Sequence, residues 1–250
     1  MKQVIYNILF CLAMLVPCTV VAQPKANADA AYRAGDYQKA LKYYADAQKG
    51  GTSVETYYNM GNAYFRMGNY PQAMIAYQRA LKQSPANEDI LHNIEITANK
   101  TIDRLPVDSD LFFVKWYKAI VFSLSIDTWA IMALVTLALS LICYLLYLFM
   151  ESINVRRVSF FSSVLLCVVF LLSLLFAYRQ RSALLTFDKG VVTSEMVDVK
   201  SSPTKKAGSA FVIHEGTSVA VEDTDIKGWY SIRLSDGRLG WVPSSAVELI

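Results

Sequence analysis

Residues 57–85, YYNMGNAYFRMGNYPQAMIAYQRALKQSP, decide how the chain is built. Tyr57, Met60 and Tyr64 recur at i, i+3 and i+7, which makes one apolar helical face, and Gly61 on that helix lets a partner backbone come close. Ala73, Tyr77 and Ala80 repeat the pattern on a second helix, where the alanines are small enough for tight contact. Gly68-Asn69-Tyr70 supplies the turn between them, and Pro85 stops the second helix. The stretch predicts an antiparallel helical hairpin.

An upstream copy follows the same pattern. Gly35-Asp36-Tyr37, Ala40, Tyr44 and Ala47 reproduce Gly68-Asn69-Tyr70, Ala73, Tyr77 and Ala80 at a constant offset of 33. Together with Pro85, the spacing of these residues resembles the tetratricopeptide (TPR) signature, which implies an all-α superhelix used as a binding scaffold rather than a catalyst. After Asn87, a candidate N-cap followed by the acids Glu88 and Asp89, His92-Asn93-Ile94 matches Tyr58-Asn59-Met60 at an offset of 34. Glu95 stands there in place of Gly61, so this third stretch reads as a closing helix. The expected TPR domain is 23–104. Repeat arrays usually need about three units to bury a continuous core, so a partner that completes this one is expected.

Arg33, Arg66 and Lys100 occupy equivalent positions of the three successive first helices, and TPR proteins use that position on the concave surface. With Tyr58 and Asn62 beside them they form a candidate basic column for an acidic segment or a terminal carboxylate. The plain alternative is a solvated basic face.

Although 54% of residues are apolar, they lie in separate blocks. Met1 and Lys2 precede an apolar run from Val4 to Val21, and Val20-Val21-Ala22 offers small residues for cleavage, so 1–22 reads as a signal peptide; a retained anchor and a lipoprotein at Cys18 are the alternatives. Residues 129–149 and 158–178 are uncharged runs, each long enough to span a bilayer, joined by a connector at 150–157. Export of the N-terminal block places the connector in the cytoplasm, with the rest outside. Between repeats and hairpin, 105–128 carries the stripe Phe112, Phe113, Trp116, Tyr117, Ile120 and Val121, expected to lie on the outer leaflet with Trp116, Tyr117 and Trp129 at headgroup level. Residues 179–190 read as a linker.

From 191 to 250 the texture becomes short alternating strands. Val197, Val199, Phe211, Ile213, Val219, Val221, Tyr230, Ile232 and Leu234 supply the period-2 positions, and Asp236-Gly237 a tight turn. The run Val199-Lys200-Ser201-Ser202-Pro203, then Gly216-Thr217, Gly228-Trp229-Tyr230 and Gly240-Trp241-Val242, resembles the bacterial SH3-like family, which implies a small all-β barrel of about five strands. Trp229 and Trp241 either line a groove for an extended peptide or a cell-wall stem peptide, or belong in part to the barrel core.

No catalytic constellation stands out. The chain has two histidines, His92 on the closing helix and His214 before a turn, and neither has a nucleophile, base or metal-ligand set around it by spacing; His214 reads as solvated. Cys11 and Cys18 belong to the signal and Cys143 and Cys167 to the spans, which leaves no disulfide framework or thiolate metal site elsewhere, and no cofactor is implied. Basic residues are interspersed with acids at a net charge of +3, which argues against nucleic acid.

The whole is expected to be a multidomain membrane protein: an all-α TPR superhelix, a two-helix transmembrane hairpin and a small all-β SH3-like barrel. That order, with His92-Asn93-Ile94 and the Asp127-Thr128-Trp129 lead into the first span, resembles the TPR-containing, BatE-type members of the Bat aerotolerance family. The resemblance implies a non-enzymatic scaffold of the bacterial inner membrane, working in the periplasm with other envelope membrane proteins, von Willebrand A domain Bat proteins among them, in aerotolerance or envelope stress. The alternative is a cell-wall sensor that reads peptidoglycan through Trp229 and Trp241.

Overall fold

The computed structural model of the protein describes residues 22–105 and 111–250. The expected signal peptide lies outside them except for its last residue.

Five helices open the described chain: α1 (Ala22–Arg33), α2 (Tyr37–Gln48), α3 (Val54–Arg66), α4 (Tyr70–Gln83) and α5 (Glu88–Ala98). Their starts follow from capping chemistry. Asp36, Ser53, Asn69 and Asn87 each accept the main-chain N–H three residues on, which satisfies a donor that the first helical turn leaves open. The turns before α2 and α4 contain Gly35 and Gly68 at φ of 81° and 76°, a region that glycine enters without strain. Ala40, Ala73 and Ala80 are fully buried, as close helix packing demands. Gly61 is needed for a different neighbour than the expected backbone: a Cβ there would stand 2.5 Å from the Tyr77 ring. In the upstream repeat the same position, Ala28, packs with Tyr44.

Next come α6 (Phe112–Val121), α7 (Ile126–Phe149) and α8 (Ile153–Leu185). The last two contain neither Gly nor Pro, and both are long and apolar enough to cross a membrane. They run antiparallel, with Trp129 on Phe176 at 5.1 Å, Tyr147 on Phe160 at 5.4 Å, and Ser140 and Ser163 exchanging reciprocal hydroxyl-to-carbonyl hydrogen bonds of 2.9 and 3.0 Å. Small polar residues that pair in this way let apolar helices approach closely. The connector is shorter than the sequence suggested, because α8 begins at Ile153; the Arg156 Nε folds back onto the Tyr147 carbonyl at 3.2 Å. The expected linker is likewise helical as far as Leu185, which leaves Thr186–Asp188 before the first strand. On α6, Phe112, Phe113, Trp116 and Tyr117 are exposed, whereas Ile120 is half-buried and Val121, expected on the same open stripe, is buried; Trp129 is not a surface anchor. It is buried against Phe176, with its Nε1–H donated to the Val121 carbonyl at 3.0 Å.

Seven strands complete the chain: β1 (Lys189–Val192), β2 (Met196–Lys200), β3 (Ser209–His214), β4 (Ser218–Asp223), β5 (Trp229–Arg233), β6 (Leu239–Pro243) and β7 (Val247–Leu249). They form one antiparallel sheet in the order β3-β2-β6-β5-β4-β1-β7. The five-stranded closed barrel is therefore not what forms. Lys189 and Gly190, placed by the sequence reading in the linker, start a strand that pairs with both β4 and β7, and β3 and β7 remain as open edges. The core is as the alternation required, with Val197, Val199, Ile213, Val219, Val221, Ile232 and Leu234 buried together. Gly240 permits the crossing of β2 and β6, since a Cβ there would meet Val199 Cγ1 at 2.3 Å.

The sheet docks on the repeats. In β1, Val192 enters the sheet core while its neighbour Val191 joins the helical cluster of Met74, Ile75, Tyr77, Ile90 and Ile94, as does Ile250. Polar bonds frame this contact: Gln78 Nε2 to Ser218 Oγ at 2.9 Å, Arg79 to Glu248 at 2.6 Å, and Lys82 Nζ to the Ile250 carbonyl at 2.8 Å. The junction leaves a cavity of about 80 Å³, too small for ligands that ordinarily fill roughly 300 Å³ or more. The partner expected to complete the short array is, on this side, the chain's own sheet.

Candidate functional site

The repeats are tied together by a hydrogen-bond ladder. Tyr77 Oη donates to Asn62 Oδ1 at 2.7 Å, and Asn93 Nδ2 from the next helix donates to the same oxygen at 3.0 Å and to Tyr58 Oη at 3.1 Å. One repeat upstream, Tyr44 Oη donates to Asp29 Oδ1 at 2.6 Å, with Asn59 Nδ2 at 3.4 Å. Each unit thus ties its outer helix, its inner helix and the following inner helix through one acceptor. Burial, reinforced by Asp29 at Tyr44 and by Tyr58 and Tyr32 at Tyr77, pushes both phenols above their ordinary value, so they stay protonated donors.

Asn62 and Tyr58, both predicted to contact a ligand, are members of this ladder and half-buried. Neither the Asn62 amide nitrogen nor the Tyr58 hydroxyl donates a side-chain hydrogen bond among the described residues. Asp29, Asn59 and Asn93 were missed, although the offset of 33 between Asp29 and Asn62 and of 34 between Asn59 and Asn93 carries the signal.

Arg33 and Arg66 are the last residues of α1 and α3, and Lys100 lies just beyond α5. All three are exposed and make no ion pair among the described residues. Cations at helix C-termini are favoured by the backbone dipole, which contributes to their placement irrespective of any ligand. Hydrogen bonding to the Tyr32 phenol raises the Arg66 guanidinium above its ordinary value, which places an aromatic ring beside that cation.

Trp229 and Trp241 lie on adjacent strands with the pairs Trp229↔Pro243 and Ser231↔Trp241, diagonal neighbours on one face. The Tyr230↔Val242 and Ile232↔Gly240 pairs point the other way, into the core. Both tryptophans are half-buried and neither belongs to the core, so the alternative that assigned one of them there does not hold.

Of the histidines, His92 is exposed. His214 differs from its expected solvation: its main-chain N–H donates to Asp103 Oδ2 at 2.5 Å, its Nδ1 stands 3.0 Å from Asp103 Oδ1, and Thr217 Oγ1 donates to Asp103 Oδ2 at 2.8 Å. This carboxylate, just past α5, latches the repeats to the sheet. Burial raises its pKa, but the three hydrogen bonds and the His214 charge outweigh that and hold it below the ordinary carboxylate value. A depressed carboxylate contributes stability that is complete above its unfolded pKa and lost as pH falls through the folded value. Melting temperature is therefore expected to fall more steeply below about pH 4 in the wild type than in Asp103→Asn, and parallel curves would remove the latch from the account.

Among the described residues no group of three or more His, Cys, Asp or Glu side chains could hold a metal ion. Compared with curated proteins, the chain has no match. Residues 54–87, the span of α3 and α4, match the tetratricopeptide repeat, a module that typically binds proteins and is not itself catalytic.

Proposed function

We propose that this protein is a membrane-tethered interaction scaffold whose TPR groove captures an acidic segment of a partner protein. The observation that carries the reading is the trio of Arg33, Arg66 and Lys100, exposed and without ion pairs among the described residues, at or just beyond the ends of three successive first helices. The ladder beneath them supports it by fixing the groove before a ligand arrives, so little ordering entropy is lost on capture. The apolar hairpin holds the groove near other membrane proteins and raises their effective concentration.

Bacterial inner-membrane location with both modules in the periplasm follows from reading 1–22 as an export signal. The order of blocks, which resembles the Bat aerotolerance family, supports envelope proteins with von Willebrand A domains as partners. Co-purification from native membranes in a mild detergent tests this. Arg66→Glu is expected to remove the partner while leaving the helical signal intact, and an unchanged partner profile would sink the proposal.

A further inference from the structure

A second cleft, of about 860 Å³, lies where the repeats, the sheet and the hairpin meet. Its volume falls within the roughly 300–1,000 Å³ of small-molecule sites. One wall is α4, with Arg79 and Lys82; the floor is the ends of the two apolar helices, with Ser125 and Asp127 from one and Gln180 and Arg181 from the other. The Trp129–Phe176 and Ser140–Ser163 contacts set the register of the hairpin and bring the Ser125–Asp127 turn level with Tyr178–Gln180.

Gln180 is the unexpected member. It is only 6% exposed, and its Oε1 is a buried acceptor that no donor reaches among the described residues. An enclosed amide oxygen without a donor is costly, and native structures rarely keep one without a partner. The charges around it are unequal. Arg79 is engaged by Glu248, whereas among the described residues Lys82, Arg181 and Asp127 form no ion pair. Lys82 is held in place by the Ile250 carbonyl and by the Phe187 ring at 4.5 Å. The cleft therefore offers the Arg181 guanidinium and the Lys82 ammonium, the latter with one N–H already given to the Ile250 carbonyl, together with two acceptors without a partner among the described residues, Gln180 Oε1 and the anionic Asp127.

We infer that this cleft binds a phosphoethanolamine lipid headgroup, with the phosphate on Lys82 and Arg181 and the ammonium donating to Gln180 Oε1 and Asp127. The inference rests on reading the hairpin as membrane-spanning, which puts the ends of α7 and α8 at headgroup depth. An ammonium with N–H donors suits an unpaired amide oxygen; a trimethylated choline has none to give, and a purely anionic headgroup leaves Asp127 opposed.

The test uses the full chain in a non-ionic detergent, with lipid binding read by native mass spectrometry and by thermal shift. Phosphatidylethanolamine is expected to bind about tenfold or more tightly than phosphatidylcholine, the size of a hydrogen bond to a charged group, and more tightly than phosphatidylglycerol. Gln180→Leu is expected to melt no lower than wild type without lipid, because an unpaired buried acceptor is removed, while losing the preference for ethanolamine over choline. Arg181→Gln is expected to weaken ethanolamine and choline lipids alike. Equal binding of the ethanolamine and choline lipids, a preference for phosphatidylglycerol, or a preference that survives Gln180→Leu would each overturn the inference. Carbonate extraction of native membranes tests the underlying reading separately: release of the protein into the soluble fraction removes the bilayer whatever the headgroup assay reports.

Discussion

Gly61→Ala is expected to lower the melting temperature of the full chain by several degrees, although the same change in an open helix is stabilising by about 0.5–1 kcal/mol. The sign reverses because the added Cβ would stand 2.5 Å from Cδ1 and Cε1 of Tyr77, a ring that is itself fully buried and fastened through its hydroxyl to Asn62. Overpacking of this kind costs about 1–3 kcal/mol, which exceeds the propensity gain. Gly61→Val adds branching and is expected to cost more, and it should also shift Tyr77 away from Asn62 and so loosen the ladder to Asn93. Thermal unfolding followed by the helical signal decides it; a melting temperature at or above wild type for the alanine variant would mean that the ring yields freely.

Val191→Asp is expected to uncouple the sheet from the repeats while leaving each folded. Val191 is fully buried among Met74, Tyr77, Ile90 and Ile94, whereas Val192, one residue on, points into the sheet core, so the substitution strikes one side of the strand. A carboxylate there has no partner, and burying it unpaired costs several kcal/mol, which the docked arrangement avoids by opening. The expected result is two thermal transitions in place of one, with new proteolytic cleavage near Asp103 and Leu105. A single transition moved uniformly downward would show that the repeats and the sheet do not part. Val192→Asp, by contrast, is expected to abolish the sheet outright.

Much of this was legible in the sequence where a residue's role is local. The Asn87 cap, the turns at Gly35-Asp36 and Gly68-Asn69, the alternation of the sheet core and the apolar hairpin each depend on neighbours within a few positions, and pattern reading reaches that far. What escaped is long-range. Val191 looked like an ordinary first strand residue, yet its contacts are with α4 and α5, more than 90 positions away. Asp103 drew no reading of its own within 23–104, yet its partners His214 and Thr217 are 111 and 114 positions on. Lys189 and Gly190 carry too little β signal to announce a strand, and they form one because two neighbouring edges are there to pair with. The candidate site was half legible: the cations, Tyr58 and Asn62 were visible by register, while Asp29, Asn59 and Asn93 were missed because their roles depend on hydrogen bonds between helices.

The α8 helix has 33 residues, about 50 Å at the usual rise, against a hydrocarbon layer of about 30 Å. After it only Thr186–Asp188 intervene before β1, the strand whose Val191 lies inside the repeat core. So short a link has no slack, and α8 behaves as a mast stepped directly into the head it carries. A tilt of about 20°, ordinary for a membrane helix, swings the tip of such a rod by about 17 Å. On the proposed membrane-spanning reading, where the repeats can reach is thereby set by how a bilayer holds one helix, and a thinner or thicker membrane re-aims them together with the sheet.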